Sequence, residues 1–537
     1  TIYEYDEDPT TNVTTVEVHY RISNVSRTVN MSTSHTENFS MPFGPKWSYE
    51  TGGDVANVAI SADGEYIFAG SYEDDQSPKV YLFGKDSSTP IWNYTTDDLP
   101  RCVAISADGR YAVTGDNDGN VYLFNRDSST PLWSYDTGAD RLSSIAISSD
   151  GKYIVAGSYN GNSPKIYVFD RDSNNPLWFY TFDSNTGSPI LDISADGSYI
   201  TASTSSNTGV YLFGKNSSLP LWSSNLTSTS HSSSSIAISA NGQYIVTGST
   251  SSSGSRDDTR INLFDKNGTE VWNFSDSDRI SSGGRLYSID ISADGKYIVA
   301  SRGSGFYQTT ENAIFLFNKY NNTPLWNFAD AENYVANVVI SEDGQYITAY
   351  GEDEKVYFFN KNSSTPLWTY DTEGRGRDIS ISAYGKYITA SSDNDAVYLF
   401  KNSLVNGLKL KPYAPYNGDN TATDLMLGWF ANSDNRDNLT FDVYLDTDSD
   451  PDTKVADDIT TLYYNAQCLD INTKYYWKVV ATDGDGTVTS SVMNFTVTSY
   501  GNIFCVSIDD DYDPAELTII KGTTVVWTND DSSIHTV

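Results

Sequence analysis

The chain has 537 residues and a formal net charge of −36, with 38% hydrophobic and 13% aromatic residues. That apolar share is enough to bury several cores and excludes the poorly hydrophobic, highly charged class of disordered chains. A surface this acidic repels phosphate backbones and anionic headgroups, so nucleic acid is excluded as a partner and cations or other polar surfaces are favoured.

No apolar run of about 18 residues occurs, so no transmembrane segment is expected. The chain opens on Thr1 without a signal-like apolar stretch, which fits a processed mature protein or a trimmed one. Residues 1–40 read as an N-terminal β-strand segment: "TIYEYDED" and "TTVEVHYRI" alternate, "RTVNMSTS" is strand-like, and none belongs to the repeat that follows. Asn-X-Ser/Thr sequons, acceptors for N-linked glycans, occur at Asn12, Asn24, Asn30, Asn38, Asn93, Asn216, Asn225, Asn267, Asn273, Asn321, Asn362, Asn438 and Asn494. Composition alone would give roughly ten. The four in the first forty residues exceed that locally and point to a glycosylated, extracellular surface.

Residues 41–403 are repetitive. Trp47, Trp92, Trp133, Trp178, Trp222, Trp272, Trp326 and Trp368 recur at the period of a propeller blade, alternating with stretches centred on Ile60, Ile105, Ile147, Ile193, Ile238, Ile291, Ile340 and Ile381 that mostly read "ISADG" before a "YI" run. Each unit reads as four strands with Asp-Gly turns, and proline before the Trp strand makes that strand the outermost. The first Trp strand precedes the first "ISADG", and none follows Val397 to Phe400. "PKWSY", Pro45 to Tyr49, is therefore expected to complete the last blade and close an eight-bladed β-propeller. "ISADGKYIVAGS" resembles WD-type repeats, and "VYLFNRDSSTPLWSYDTG" resembles the quinoprotein repeat, whose Trp packs between blades. The resemblance speaks to fold, since propellers host enzymes, binders and scaffolds alike.

Residues 404–412 read as a linker. Residues 413–498, with "LMLGWFANSD" and "YYWKVVATD", resemble a fibronectin type III sandwich. Trp429 stands at its core, with Leu425, Tyr444 and Phe495 expected on the buried faces. Residues 499–537 resemble the first half of a cupredoxin, whose first copper-ligating histidine maps onto His535. The remaining ligands of such a site do not follow, so copper is expected only where they are supplied from elsewhere. The all-β chain thus ends in an incomplete sandwich and begins with strands lacking a core, which suggests strand exchange between neighbouring molecules.

Chemistry is sparse. Cys102, Cys468 and Cys505 lie far apart without CxxC spacing, so neither a zinc site nor a disulfide framework is read, although Cys468 and Cys505 could pair. His19, His35, His231 and His535 show no metal-ligand spacing. No GxSxG elbow appears, and "SSGGR", Ser281 to Arg285, lacks the helix a phosphate loop needs. Asp446, Asp448, Asp450 and Asp452 alternate as calcium ligands do, but lack the glycine and distal glutamate of an EF-hand, and a solvated acidic loop is the plainer reading.

No catalytic or cofactor-binding residue is assigned, and calcium is the one cofactor candidate besides conditional copper. The chain resembles multidomain surface proteins of archaea. The expectation is a non-enzymatic extracellular protein of the cell surface, structural or adhesive. It is expected to self-assemble as a homo-oligomer or polymer, with glycans or other surface proteins as further partners. Three rivals are a copper electron-transfer protein, a propeller that binds glycan or another ligand through Tyr307, Tyr320 and Tyr350, and a quinoprotein dehydrogenase.

Overall fold

Every long regular element among the described residues is a β-strand. The computed structural model describes residues 2–8, 13–18, 44–72, 77–161, 163–184, 186–205, 209–225, 231–253, 256–275, 285–303, 313–415, 418–422, 425–434, 438–499, 503–508 and 524–529. The chain divides into Thr1–Phe43 and Gly44–Val537. In the first unit, Ile2–Asp8 pairs antiparallel with Val13–Val18, Tyr5 opposite Val16.

Among the described residues the second unit contains eight four-stranded antiparallel sheets, here numbered as blades. Blade 1 runs Val55–Ile60, Tyr66–Tyr72, Pro78–Gly84, Trp92–Thr95. The first strands of blades 2 to 8 are Pro100–Ile105, Arg141–Ile147, Pro189–Ile193, His231–Ile238, Arg285–Ile291, Val335–Ile340 and Gly376–Ile381. The last strands of blades 2 to 7 are Trp133–Asp136, Pro176–Thr181, Pro220–Asn225, Glu270–Ser275, Asn321–Phe328 and Trp368–Asp371. Blade 8 takes its outer strand from the other end of the repeat: Trp47–Glu50 pairs with Ala396–Lys401, Trp47 opposite Leu399. Consecutive first strands pack on one another, and that of blade 8 packs on that of blade 1. The arrangement is a β-propeller.

Three sets of contacts repeat at every junction. Each outer-strand tryptophan lies on a phenylalanine of the next blade, from Trp47 on Phe83 at 5.4 Å between ring centroids to Trp368 on Phe400 at 5.3 Å. Such pairs add about 0.5–1.5 kcal/mol beyond the area they bury. Each "YI" tyrosine covers the turn glycine of the next blade: a Cβ on Gly109 would come 2.4 Å from Tyr66, and one on Gly64 would come 2.6 Å from Tyr387. These glycines also hold positive φ, 67° at Gly109 and 74° at Gly64, so two independent constraints select them. Around the axis a circle of backbone hydrogen bonds links the turns, including Ala107 N to Ser149 O at 3.0 Å and, closing it, Ala383 N to Ala62 O at 2.9 Å. The middle strands are covered on both faces, so Val121, Tyr122, Leu123 and Phe124 are all buried.

A two-sheet sandwich follows. Its first strand, Lys409–Ala414, begins inside the stretch expected as a linker, because "KLKPYA" pairs with Leu425–Asn432. That strand also pairs with Tyr463–Ala466, and the second sheet carries Lys474–Asp483 at its centre. Trp429, Trp477 and Phe495 are fully buried between the sheets. Tyr444 corrects an expectation: it lies between the buried Val443 and Leu445 and therefore points to the outer face, where Lys454 and Lys478 sit over its ring. Leu425 is half-buried. Cys468, one of the two cysteines that the sequence offered for pairing, is disulfide-bonded. Beyond the sandwich, Ile503–Ile508 and Thr524–Asn529 form a parallel pair.

Candidate functional site

The innermost strand of each blade is a sheet edge, and its outward N–H groups need partners. Half of the blades place alanine before the inner-strand isoleucine, at Ala59, Ala104, Ala146 and Ala237; blade 7 has Val339 and blade 8 Ser380, but blade 4 has Asp192 and blade 6 Asp290. One carboxylate oxygen of Asp192 accepts from Ile193 N at 2.8 Å and the other from Ile238 N of blade 5 at 2.9 Å. Asp290 repeats this with Ile291 N at 2.8 Å and Ile340 N of blade 7 at 2.9 Å. Asp378 in blade 8 accepts from Ile379 N at 2.9 Å, from Val58 N of blade 1 at 3.0 Å and from Asn337 Nδ2 of blade 7 at 3.1 Å. At other junctions a serine hydroxyl takes the same place: Ser235 Oγ accepts from Ile289 N at 3.2 Å, and Ser288 Oγ donates to Val338 O at 3.2 Å.

A cavity of about 290 Å³ lies on the axis, walled by Ile60, Ile105, Ile147, Ile193, Ile238, Ile291, Ile340 and Ile381. Asp192, Asp290 and Glu342 also line it, as does Phe430 of the sandwich. Glu342 stands where the other turns carry Ala62, Ala107, Ser149, Ala195, Ala240, Ala293 and Ala383. The acids are half-buried, but the surface they retain faces the cavity, and burial dominates their titration. It pushes Asp192 up to about 6 and Asp290 and Asp378 up to about 7, against the pull of their N–H partners. Burial, and next the charge of Asp290, push Glu342 up to about 8.

The sandwich seats on the alanine turns. Ala195, Ala293 and Ala383 pack with Tyr413, Met426 and Phe430. Tyr384, which replaces the turn aspartate in blade 8, donates its hydroxyl to Phe430 O at 3.0 Å. Lys386, 4% exposed, donates to Ser433 O at 3.1 Å and pairs with Asp434 at 2.7 Å. Further round, Lys266 pairs with Asp419 at 3.4 Å and Lys411 with Asp294 at 3.6 Å.

The proposed calcium ligands do not converge. Asp446 accepts from Thr447 N at 2.7 Å and Thr453 Oγ1 at 2.5 Å, Asp450 pairs with Lys478 at 2.9 Å, and Asp448 and Asp452 are exposed. Among the described residues the acids that do meet are Asp442, Asp457 and Asp458, and the Lys454 ammonium already lies among them, 2.8 Å from Asp442 and 2.6 Å from Asp457. His535 lies outside the described residues, as do Tyr307, Asn12, Asn24, Asn30 and Asn38. Tyr350 is removed from the glycan-binding candidates: it is fully buried, its hydroxyl 2.6 Å from Thr372 Oγ1 and donating to Gly374 O at 3.0 Å. Tyr320 is 71% exposed. Cys102 is buried and burial pushes its thiol up to about 12, so it is a poor nucleophile. A quinone bearing several carboxylates meets no lysine or arginine among the described residues lining the axial cavity, where isoleucine, alanine and acids predominate, and does not fit it.

A family model, PQQ_2, described as outer membrane protein assembly factor BamB, matches residues 44–224, 117–255 and 257–411. The chain belongs to that family. The BamB-type repeats span the propeller and stop at the first strand of the sandwich. No curated protein matches the chain. Among solved structures, Sqt1 of Chaetomium thermophilum, determined bound to the N-terminus of the ribosomal protein L10, is 15% identical. It covers 67% of this chain and 100% of its own, with a TM-score of 0.54. The computationally designed protein Ika8 is 12% identical over 66% of this chain and 98% of its own, with a TM-score of 0.51. At these identities the likeness speaks to fold alone.

Proposed function

We propose that this chain is a non-enzymatic, extracellular building block of a cell surface. In this reading it is an eight-bladed propeller locked shut by its N-terminal strand. A fibronectin type III-like sandwich and an incomplete cupredoxin-like sandwich follow, and the terminal β-segments join neighbouring copies. The observation that carries the reading is the use of the axial polar groups. Both oxygens of Asp192 and of Asp290 are committed to backbone N–H groups of their own and the next blade, and Phe430 of the sandwich lines the same cavity. A reactive centre needs such groups free and directed at a substrate; here they hold the ring together.

Copies carrying so much negative charge repel one another, so assembly depends on salt or divalent cations. Electron microscopy of purified protein tests this. Sheets or filaments are expected with calcium or high salt, dispersing on chelation at low salt. Single particles under all of these conditions would refute self-assembly, and a redox-active quinone or copper in the native protein would refute the non-enzymatic reading.

A further inference from the structure

Nine of the sequon asparagines fall on described residues, and their placement is not even. In the propeller, Asn93, Asn225 and Asn273 lie on outermost strands, Asn321 begins one, and Asn216, Asn267 and Asn362 lie in the hairpin leading into one. All seven are exposed. Strand alternation explains the first group: Asn93 stands between Trp92 and Tyr94 and Asn273 between Trp272 and Phe274, so when the aromatics face the next blade the asparagine faces away. On the sandwich, Asn438 is exposed and Asn494 half-buried.

The hairpin asparagines are not demanded by the turn. Asn216 and Asn362 occupy the position that Asp127 fills in blade 2 and Asp172 in blade 3. The turn is built alike in both cases. Asn125 Oδ1 accepts from Asp127 N at 3.0 Å, and Asn360 Oδ1 accepts from Asn362 N at 3.1 Å. Every blade from 4 to 7 carries at least one sequon on its rim, while blades 2 and 3 carry none. Exposed apolar side chains flank the sequons in that sector: Leu219 at 74%, Leu221 at 58%, Val271 at 43% and Leu325 at 49%. Unshielded, they would make a sticky circumference.

We propose that the rim of blades 4 to 7 carries N-linked oligosaccharide at Asn216, Asn225, Asn267, Asn273, Asn321 and Asn362, leaving the rim of blades 2 and 3 bare. The donor is a lipid-phosphate-linked oligosaccharide acted on by a transferase. The asparagine Nδ2 forms a bond to the anomeric carbon as the carbon–oxygen bond to the lipid phosphate breaks. The phosphate leaves with the bonding pair, and a base of the transferase takes the amide proton. The sugars cover Leu219, Leu221, Val271 and Leu325, whereas Leu132 at 51%, Leu177 at 51% and Phe179 at 53% stay accessible. The proposal rests on the extracellular reading, and its test separates the two. Protein released from intact cells by surface proteolysis is digested and its peptides are weighed by mass spectrometry. Glycopeptides spanning the six asparagines are expected, with sugar-free peptides from blades 2 and 3. Unmodified peptides from surface-released protein would overturn the coat and leave the extracellular reading standing. Recovery of the protein only after lysis would overturn both.

Discussion

Asp290→Asn separates the two things this carboxylate does on the channel wall: it accepts two backbone N–H groups, and it holds a buried charge. Its folded carboxyl titrates at about 7, against 3.8 when unfolded, so between those values the folded chain binds more protons. Stability from this group is therefore greatest at low pH and falls as pH rises from about 4 through about 7. Between about pH 5 and about pH 8 the wild type loses roughly 2–3 kcal/mol on this account, and screening by channel water reduces that to roughly 1–3 kcal/mol. Asparagine carries no such charge, but it turns an N–H group toward a backbone N–H and leaves it unbonded, at about 1–3 kcal/mol independent of pH. The variant is thus expected to fall about 1–3 kcal/mol below the wild type at about pH 5 and to close most or all of that gap by about pH 8. Urea unfolding at the two pH values, followed by tryptophan fluorescence, reads the difference. A stability gap between variant and wild type that is the same at both pH values would refute the assignment of a buried, titrating charge to Asp290.

Trp47→Ala removes the N–H bond to Lys85 O at 2.9 Å and the ring contact on Phe83 at the seam, and is expected to cost about 2–4 kcal/mol. A midpoint no lower than that of Tyr320→Ala would show that the seam does not depend on it. Tyr384→Asp restores the residue six other turns carry, so blade 8 keeps its turn while the hydroxyl bond to Phe430 O is lost. Hydrogen exchange is expected to quicken in residues 425–434 and not in the blades, and unchanged exchange there would refute the role given to Tyr384. Lys454→Ala takes the ammonium out of the Asp442, Asp457 and Asp458 trio and is expected to create a weak calcium site, with a dissociation constant on the order of millimolar. Melting temperatures that respond to calcium equally in variant and wild type would show that the lysine is not what fills it.

Much of the propeller was legible because repetition multiplies a weak signal. One Trp says little, whereas Trp47 standing ahead of the first "ISADG" implied a strand shared across the seam, and Trp47 does lie opposite Leu399. Proline ahead of the Trp marked the outer edge, where it costs no ladder bond. Single copies were read less well. In the sandwich, Tyr444 looked as apolar as its neighbours, and only the register set by Phe441, Val443 and Leu445 turns it outward. The alternating aspartates from Asp446 to Asp452 looked like a ligand set, yet a loop does not keep strand periodicity, and their partners came from Thr453 and Lys478. The channel acids went unnoticed for the opposite reason. A repeat is read by what its copies share, and Asp192, Asp290, Asp378, Glu342 and Tyr384 are what they do not share. Subtracting the consensus, with the first strand already known to be innermost, would have placed all five near the axis.

Those departures also answer a problem that symmetry creates. A ring of equal turns offers a sandwich several equivalent seats, and the alanines that most of the turns carry distinguish none of them. Apolar burial of Phe430 and Met426 gives affinity for these alanines without direction. Direction comes from groups present once. Tyr384 replaces an aspartate only in blade 8, and the almost fully buried Lys386 beside it reaches Ser433 O and Asp434. In blade 5, Gln243 and Lys266 reach Asp419, while Lys411 reaches back to Asp294 in blade 6. Rotating the sandwich by one blade would leave the buried Lys386 ammonium without its carboxylate and without Ser433 O, which disfavours that seat. The repeat supplies a stiff ring, and a few unrepeated side chains fix how the next module sits on it.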